Sequence, residues 1–200
     1  ILMGARFITL FAILLLLVCM LYSYSSIYKK KFLIGNIIVS ISVSLAVFLP
    51  WLFEAFHLSN NALILSACKD TMMNILPFVL IYTAFAFLTT LIREIVKDAE
   101  DYNGDSVTRC RTIPVVCGMM KTKMIVGVLS FVLYVFLAYF HWVLARIQAD
   151  IAVYILIVAE TLGIMLLPIL FNIKEFADFH RLSVMLKMIM VVGILTMLFI

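Results

Sequence analysis

Six stretches of this chain are each about as apolar, and all but the last about as long, as the ~20 residues a helix needs to cross a bilayer. They run from Phe7 to Tyr28, Phe32 to Phe53, Met72 to Ile92, Met124 to Leu144, Ile151 to Phe171 and Met185 to Ile200. Of the 200 residues, 66% are hydrophobic and 13% charged, and a water-soluble fold has too little interior to hide that much apolar side chain. Only 7 Gly and 4 Pro are present, too few for the turns of an all-β barrel, so the expected element is the helix, which satisfies its own backbone in lipid. The expected fold class is an all-α, multi-pass integral membrane protein with six visible transmembrane helices. Glu54 to Thr71 is mixed in polarity and reads as a short interfacial helix. Pro50, Pro77 and Pro168 fall near the predicted helix ends, where a missing donor is tolerated. Cys19, Cys68, Cys110 and Cys117 include no CxxC pair and read as free thiols serving as small hydrophobes.

The net charge is +4, but its distribution argues for topology and against nucleic acid. Of the fifteen basic residues, twelve lie in three connections. Lys29, Lys30 and Lys31 follow the first stretch; Arg93, Lys97, Arg109, Arg111, Lys121 and Lys123 lie between the third and fourth; Lys174, Arg181 and Lys187 flank the link between the last two. Arg6, Lys69 and Arg146 remain for the other side, so the three basic connections are expected in the cytoplasm. The first visible helix then enters from outside. Because the chain opens Ile1-Leu2-Met3 with no signal peptide, an odd number of helices is expected upstream.

Five of the eleven acidic residues fall within one such connection, Arg93-Glu94-Ile95-Val96-Lys97-Asp98-Ala99-Glu100-Asp101-Tyr102-Asn103-Gly104-Asp105. If the third helix continues beyond the membrane, a turn of about 100° per residue sets Asp98 at 0°, Glu94 near about −40°, Asp101 near about −60° and Asp105 near about −20°. Those four carboxylates share one face, whereas Glu100 falls near about 200°, on the other side. Asn103-Gly104 reads as the helix C-terminus, with Asp105 in the turn just beyond. Like charges at these spacings weaken a helix, and a hard divalent cation such as Mg²⁺ relieves the repulsion while leaving coordination positions to water and phosphate oxygens. Arg109, Arg111, Thr112 and the Pro114 to Gly118 segment follow at once. Cations beside a carboxylate-bound metal suit a polyanionic ligand such as a diphosphate. A solvated acidic helix end, an ion-coupled transporter and a metal-dependent transferase all stay open on these residues alone.

The stretch from Arg93 to Asp105, followed by Arg111-Thr112-Ile113-Pro114-Val115 and Gly118, resembles the second aspartate motif of the UbiA superfamily of intramembrane prenyltransferases. Asp101 and Asp105 match its DxxxD core, and the REIVKDxED wording is most similar to the branch of digeranylgeranylglyceryl phosphate synthases. Tyr28-Lys29-Lys30-Lys31 with Gly35-Asn36 looks like the basic connection after the family's fourth helix. The resemblance implies a nine-helix bundle of which residues 1–200 are the C-terminal part, with a first aspartate motif, NDxxDxxxD, upstream. It implies Asp98, Asp101 and Asp105 as Mg²⁺ ligands, with Asp101 and Asp105 catalytic. Lys29, Lys30, Lys97 and Arg111 would hold the diphosphate, and Glu94, Arg93 and Asn36 would support them. Which of Tyr22, Tyr24 and Tyr28 matches the family's diphosphate-binding tyrosine is left open by their spacing. The implied partners are an isoprenyl diphosphate, a lipid or aromatic acceptor and the membrane lipids themselves. The DGxxAR stretch of CDP-alcohol phosphotransferases is absent.

Glu160 is alone inside the fifth stretch and is either functional or neutral and hydrogen-bonded to another helix. His57, His141 and His180 show no metal-ligand spacing and read as interfacial packing. Glu175 and Asp178, with Lys174 and Arg181, read as a solvated connection, with closure of the site as the alternative. In the intact protein, Asn103→Cys should react with a membrane-impermeant thiol reagent only after permeabilisation, and Ala149→Cys from outside. Labelling of position 103 from outside would overturn the topology.

Overall fold

The structure is a computed structural model that describes residues 2–26, 32–59, 62–108, 110–173 and 178–200. Eight α-helices follow one another: α1 (Leu2–Ser26), α2 (Ile34–Leu58), α3 (Ala62–Glu100), α4 (Tyr102–Val107), α5 (Ile113–Cys117), α6 (Met119–Arg146), α7 (Asp150–Asn172) and α8 (Phe179–Thr196), closed by a 3₁₀ turn at Met197–Phe199. Five of them, α2, α3, α6, α7 and α8, are long and apolar enough to cross a membrane. The first predicted span is helical too, but its described apolar segment, Phe11–Tyr22, is shorter than the others.

Two sequence expectations are corrected here. Glu54 to Thr71 holds no separate interfacial helix, because α2 runs on to Leu58 and α3 begins at Ala62. The 39 residues of α3 rise about 58 Å, well beyond the ~30 Å hydrocarbon layer, so Ala62 to Thr71 are its first turns and Glu54 to Leu58 the last turn of α2. Pro50 and Pro77 consequently lie inside α2 and α3 and not near their ends. Interior prolines are tolerated in such helices because neighbouring helices and local adjustments satisfy the freed carbonyls. Pro168 lies in the last turns of α7, as expected. All four cysteines are free thiols.

Three hydrogen bonds gather helix termini at one end of the bundle. Asn36 in the first turn of α2 bonds Asp98 in the last turn of α3, Glu100 reaches His180 at the start of α8, and Lys123 near the start of α6 donates to the Ile173 carbonyl that ends α7. Successive long helices therefore run up and down, and Lys97, Lys121, Lys123 and Arg181 lie towards one end while Lys69 and Arg146 lie towards the other. Among the buried positions of α6, Thr122, Val126, Ser130, Leu133, Leu137, Phe140 and Leu144 recur at steps of three and four, as do Ala152, Leu156, Ala159, Gly163, Leu166 and Leu170 of α7. That is the stripe along which helices pack at shallow angles, and its Ala, Gly and Ser members let backbones approach in lipid. The outward face of α6 carries Val128, Phe131, Val135 and Trp142.

Gly118 joins α5 to α6 at φ 83° and ψ 159°, a conformation essentially reserved for glycine. Gly118→Ala should therefore lower stability by about 1–3 kcal/mol although nothing lies within 4 Å of the added methyl. Gly104, inside α4 with equally open surroundings, should accept Ala with a gain of up to about 1 kcal/mol. Thermal unfolding of the two variants in detergent separates the backbone effect from a steric one.

Candidate active site

The continuation of α3 beyond its apolar stretch builds the site. Asp98 lies six residues past Ile92 and is half-buried, with Asn36 Nδ2 donating to its Oδ2 at 2.8 Å across 62 residues of sequence. Asn36 is itself buried at 8% exposure. Burial pushes the Asp98 carboxyl up to about 7; the Asn36 bond opposes the rise, and the charges of Asp105, Glu94 and Asp101 add to it. The carboxylates that act on Asp98 are thus the three expected on its face. Glu100 points elsewhere, its Oε1 2.9 Å from Nδ1 of His180, so that histidine has a carboxylate partner where only packing was expected.

Asn103-Gly104 does not end the helix. The break comes at Asp101 (φ −83°, ψ 6°), and Asn103, Gly104 and Asp105 lie within α4. Helical bonds nevertheless run through the break, from the Asp101 N–H to the Lys97 carbonyl and from the Asp105 N–H to the Asp101 carbonyl, which keeps the angular order of the carboxylates. Glu94, buried at 7% exposure, accepts from Arg93 Nη1 at 2.9 Å. Among the described residues no three His, Cys, Asp or Glu side chains converge tightly enough to form a metal site by themselves. The donor set instead suits a hard cation that takes one or two carboxylates and fills its other positions with water and phosphate oxygens.

Lys97 and Arg111 are exposed and make no ion pair among the described residues. The Thr112 hydroxyl, beside Arg111, is buried with no hydrogen-bond partner among the described residues, a position that costs about 1–3 kcal/mol unless an incoming oxygen satisfies it. The sequence marked Thr112 only as part of a motif; its burial became visible with the packing of α5. Tyr28, Lys29, Lys30, Lys31, Arg109, Lys174 and Glu175 lie outside the described residues. Asp178 and Arg181 line a cavity of about 230 Å³ with Asn172 where α7 and α8 meet. Glu160 accepts from or donates to His141 Nδ1 at 3.1 Å, in the half of the bundle away from Asp98, which matches the hydrogen-bonded alternative read from the sequence.

A family model described as the UbiA prenyltransferase family matches residues 1–191. The chain belongs to this family. Its curated relatives include proteins named digeranylgeranylglyceryl phosphate synthase from Saccharolobus solfataricus (36% identical over 53% of this chain and 32% of that protein), Sulfurisphaera tokodaii (34% over 65% and 42%) and Methanosphaera stadtmanae (28% over 54% and 39%). The chain thus matches about a third to two-fifths of the length of these relatives. No solved structure matches. Membership agrees with the resemblance of the Arg93 to Gly118 stretch and of Tyr28-Lys29-Lys30-Lys31 with Gly35-Asn36, and the Asn36–Asp98 bond joins one residue of each in space.

The raised Asp98 carboxyl has a consequence for the metal-free protein. Below about pH 4 both folded and unfolded chains hold this proton. Between about 4 and about 7 the unfolded chain releases it first, so stability falls as pH rises, and above about 7 the loss is complete. Unfolding midpoints measured in detergent with a chelator should decline over that window, and Asp98→Asn should flatten the decline. An equal slope in the variant would mean that another group is responsible.

Proposed function

We propose that this chain supplies the second carboxylate motif of a membrane prenyltransferase, which moves a prenyl group from an isoprenyl diphosphate to a lipid acceptor. The observation that carries the reading is the Asn36–Asp98 bond, which joins residues of the two family-like stretches, with Lys97 and Arg111 exposed and making no ion pair among the described residues. Asp101 and Asp105, with Asp98, would hold a divalent cation, Mg²⁺ on hard-donor grounds, which would supply charge neutralisation to the departing diphosphate. Lys97 and Arg111, with Lys29 and Lys30, bind the diphosphate oxygens, and Asn36 fixes the rotamer of Asp98. The apolar walls of the bundle exclude water from the allylic cation until the acceptor captures it.

In this reading the donor is geranylgeranyl diphosphate and the acceptor geranylgeranylglyceryl phosphate, supported by the names of the relatives. An aromatic quinone precursor is the competing acceptor. The six apolar stretches form part of a nine-helix bundle whose acidic end faces the cytoplasm, a reading supported by the concentration of Lys and Arg at that end. Membranes containing the full-length protein, given labelled geranylgeranyl diphosphate and each acceptor in turn, should prenylate the glycerol phosphate ether. Prenylation of the aromatic acid alone would remove the lipid reading.

Asp101→Asn and Asp105→Asn keep size and hydrogen bonding but remove the charge a hard cation requires. Each should lower the rate of the full-length enzyme roughly a hundredfold or more, several kcal/mol of barrier. Glu100→Gln removes an equal charge from the same segment while remaining within reach of His180, and should leave the rate within a few-fold. Equal losses in all three folded variants would make local net charge the cause and sink the one-face site.

A further inference from the structure

Two cavities along α3 meet at Tyr82 and Met197. On the side nearer Asp98, a cavity of about 120 Å³ is lined by Val43 and Val47 of α2, Phe85, Thr89 and Thr90 of α3, and Met190 of α8. Its lining begins one helical turn from Glu94. On the far side, a cavity of about 470 Å³ is lined by Thr71, Asn74, Phe78 and Met197. Tyr82 lines both.

The side chain of Tyr82 is held from two other helices. Its hydroxyl lies 2.6 Å from Thr196 Oγ1. The single hydroxyl proton of Thr196 is committed to the Gly193 carbonyl, so Tyr82 is the donor. Its ring meets Phe140 of α6 edge-on at 5.4 Å. One turn nearer Asp98, the ring of Phe85 rests against the bare backbone of Gly193, where any added Cβ would overlap it. The close approach of α3 to α8 at Gly193 therefore sets where Thr196 stands, and Thr196 fixes Tyr82.

The spacing gives this wall a meaning. Sixteen residues of α3 separate Tyr82 from Asp98, a rise of about 24 Å. An extended chain advances about 1.2 Å per bond, so the main chain of a geranylgeranyl group reaches about 18 Å, leaving about 6 Å for diphosphate and cation. We infer that Tyr82, clamped to Thr196, is the floor of the prenyl tail's path and limits the length of isoprenyl chain the enzyme accepts. The inference rests on the prenyl-transfer reading and adds to it a specificity-determining residue. The smaller cavity receives the distal end of the tail, and one further isoprene unit, about 5 Å long, has no room until the wall is removed.

The test uses the full-length enzyme with one acceptor and three donors: farnesyl, geranylgeranyl and geranylfarnesyl diphosphate. Tyr82→Ala and the milder Tyr82→Leu, which retains apolar packing, open the smaller cavity into the larger one. Either folded variant should raise the kcat/KM ratio of geranylfarnesyl over geranylgeranyl donor at least tenfold. Tyr82→Phe keeps the bulk of the wall and should stay within about threefold of the parent ratio, whereas Tyr82→Trp should shift preference towards farnesyl. A loss of activity that is uniform across the three donors, or ratios unchanged in both opened variants, would overturn the assignment while leaving prenyl transfer intact. Absence of diphosphate release from all three donors by the parent enzyme would instead remove the prenyl-transfer reading and this inference with it.

Discussion

A carboxylate drawn part-way out of water constrains the whole acidic end of this bundle. Asp98 sits where α3 leaves its apolar stretch, and its charged form is opposed by burial and by three further carboxylates. Within the described residues, the one bond that favours the charge comes from Asn36 at the first turn of α2. That bond has force only if α2 begins and α3 ends at the same level. Glu100 with His180, and Lys123 with the end of α7, set the same level for α8, α6 and α7. The polar bonds at this end thus do what the apolar flanks cannot, since side chains facing lipid carry little preference for one vertical register over another.

The same economy of polar contacts appears along the spans. Ser40, Ser42 and Ser44 return their hydroxyls to carbonyls one turn back in α2, as a hydroxyl must where no water is available. His141 with Glu160 and Tyr82 with Thr196 are the described side-chain pairs that join long helices away from the acidic end. Each pins one helix to its neighbour at a single height. Between these pins, packing is carried by stripes of Leu with Ala and Gly, and Gly193 brings α8 within reach of the Phe85 ring. The result is a frame with an acidic end, and with cavities deeper along α3 on either side of Tyr82.

Much of the site was legible because one helix carries it. The angular order of Glu94, Asp98, Asp101 and Asp105 against Glu100 follows from a fixed turn per residue, and it survived the break at Asp101 because the helical hydrogen bonds run through it. The position of that break was misread. Asn103-Gly104 carries the usual signal of a helix end, yet local turn preference is weak beside the continued hydrogen bonding of α4. The start of α3 was misread for a related reason: hydropathy reports where lipid is tolerated, and a helix passes that boundary without any change in its own bonding, so α3 begins at Ala62 and not at Met72.

What the sequence determined by itself was the solvent, the element and the clustering of charge, because each is a property of composition or of spacing along one chain. Tertiary structure decided the rest. In helices that are apolar all round, hydrophobicity does not distinguish the packed face from the lipid face, so only the assembled bundle reveals that Leu133 and Leu137 are buried while Phe131 and Val135 face outward. It also decided the partners of single polar groups: Asn36 for Asp98, His180 for Glu100, His141 for Glu160 and Thr196 for Tyr82. A hydrogen bond extends about 3 Å, and whether two groups from distant segments come within that reach depends on the relative height and rotation of whole helices, which neither group encodes.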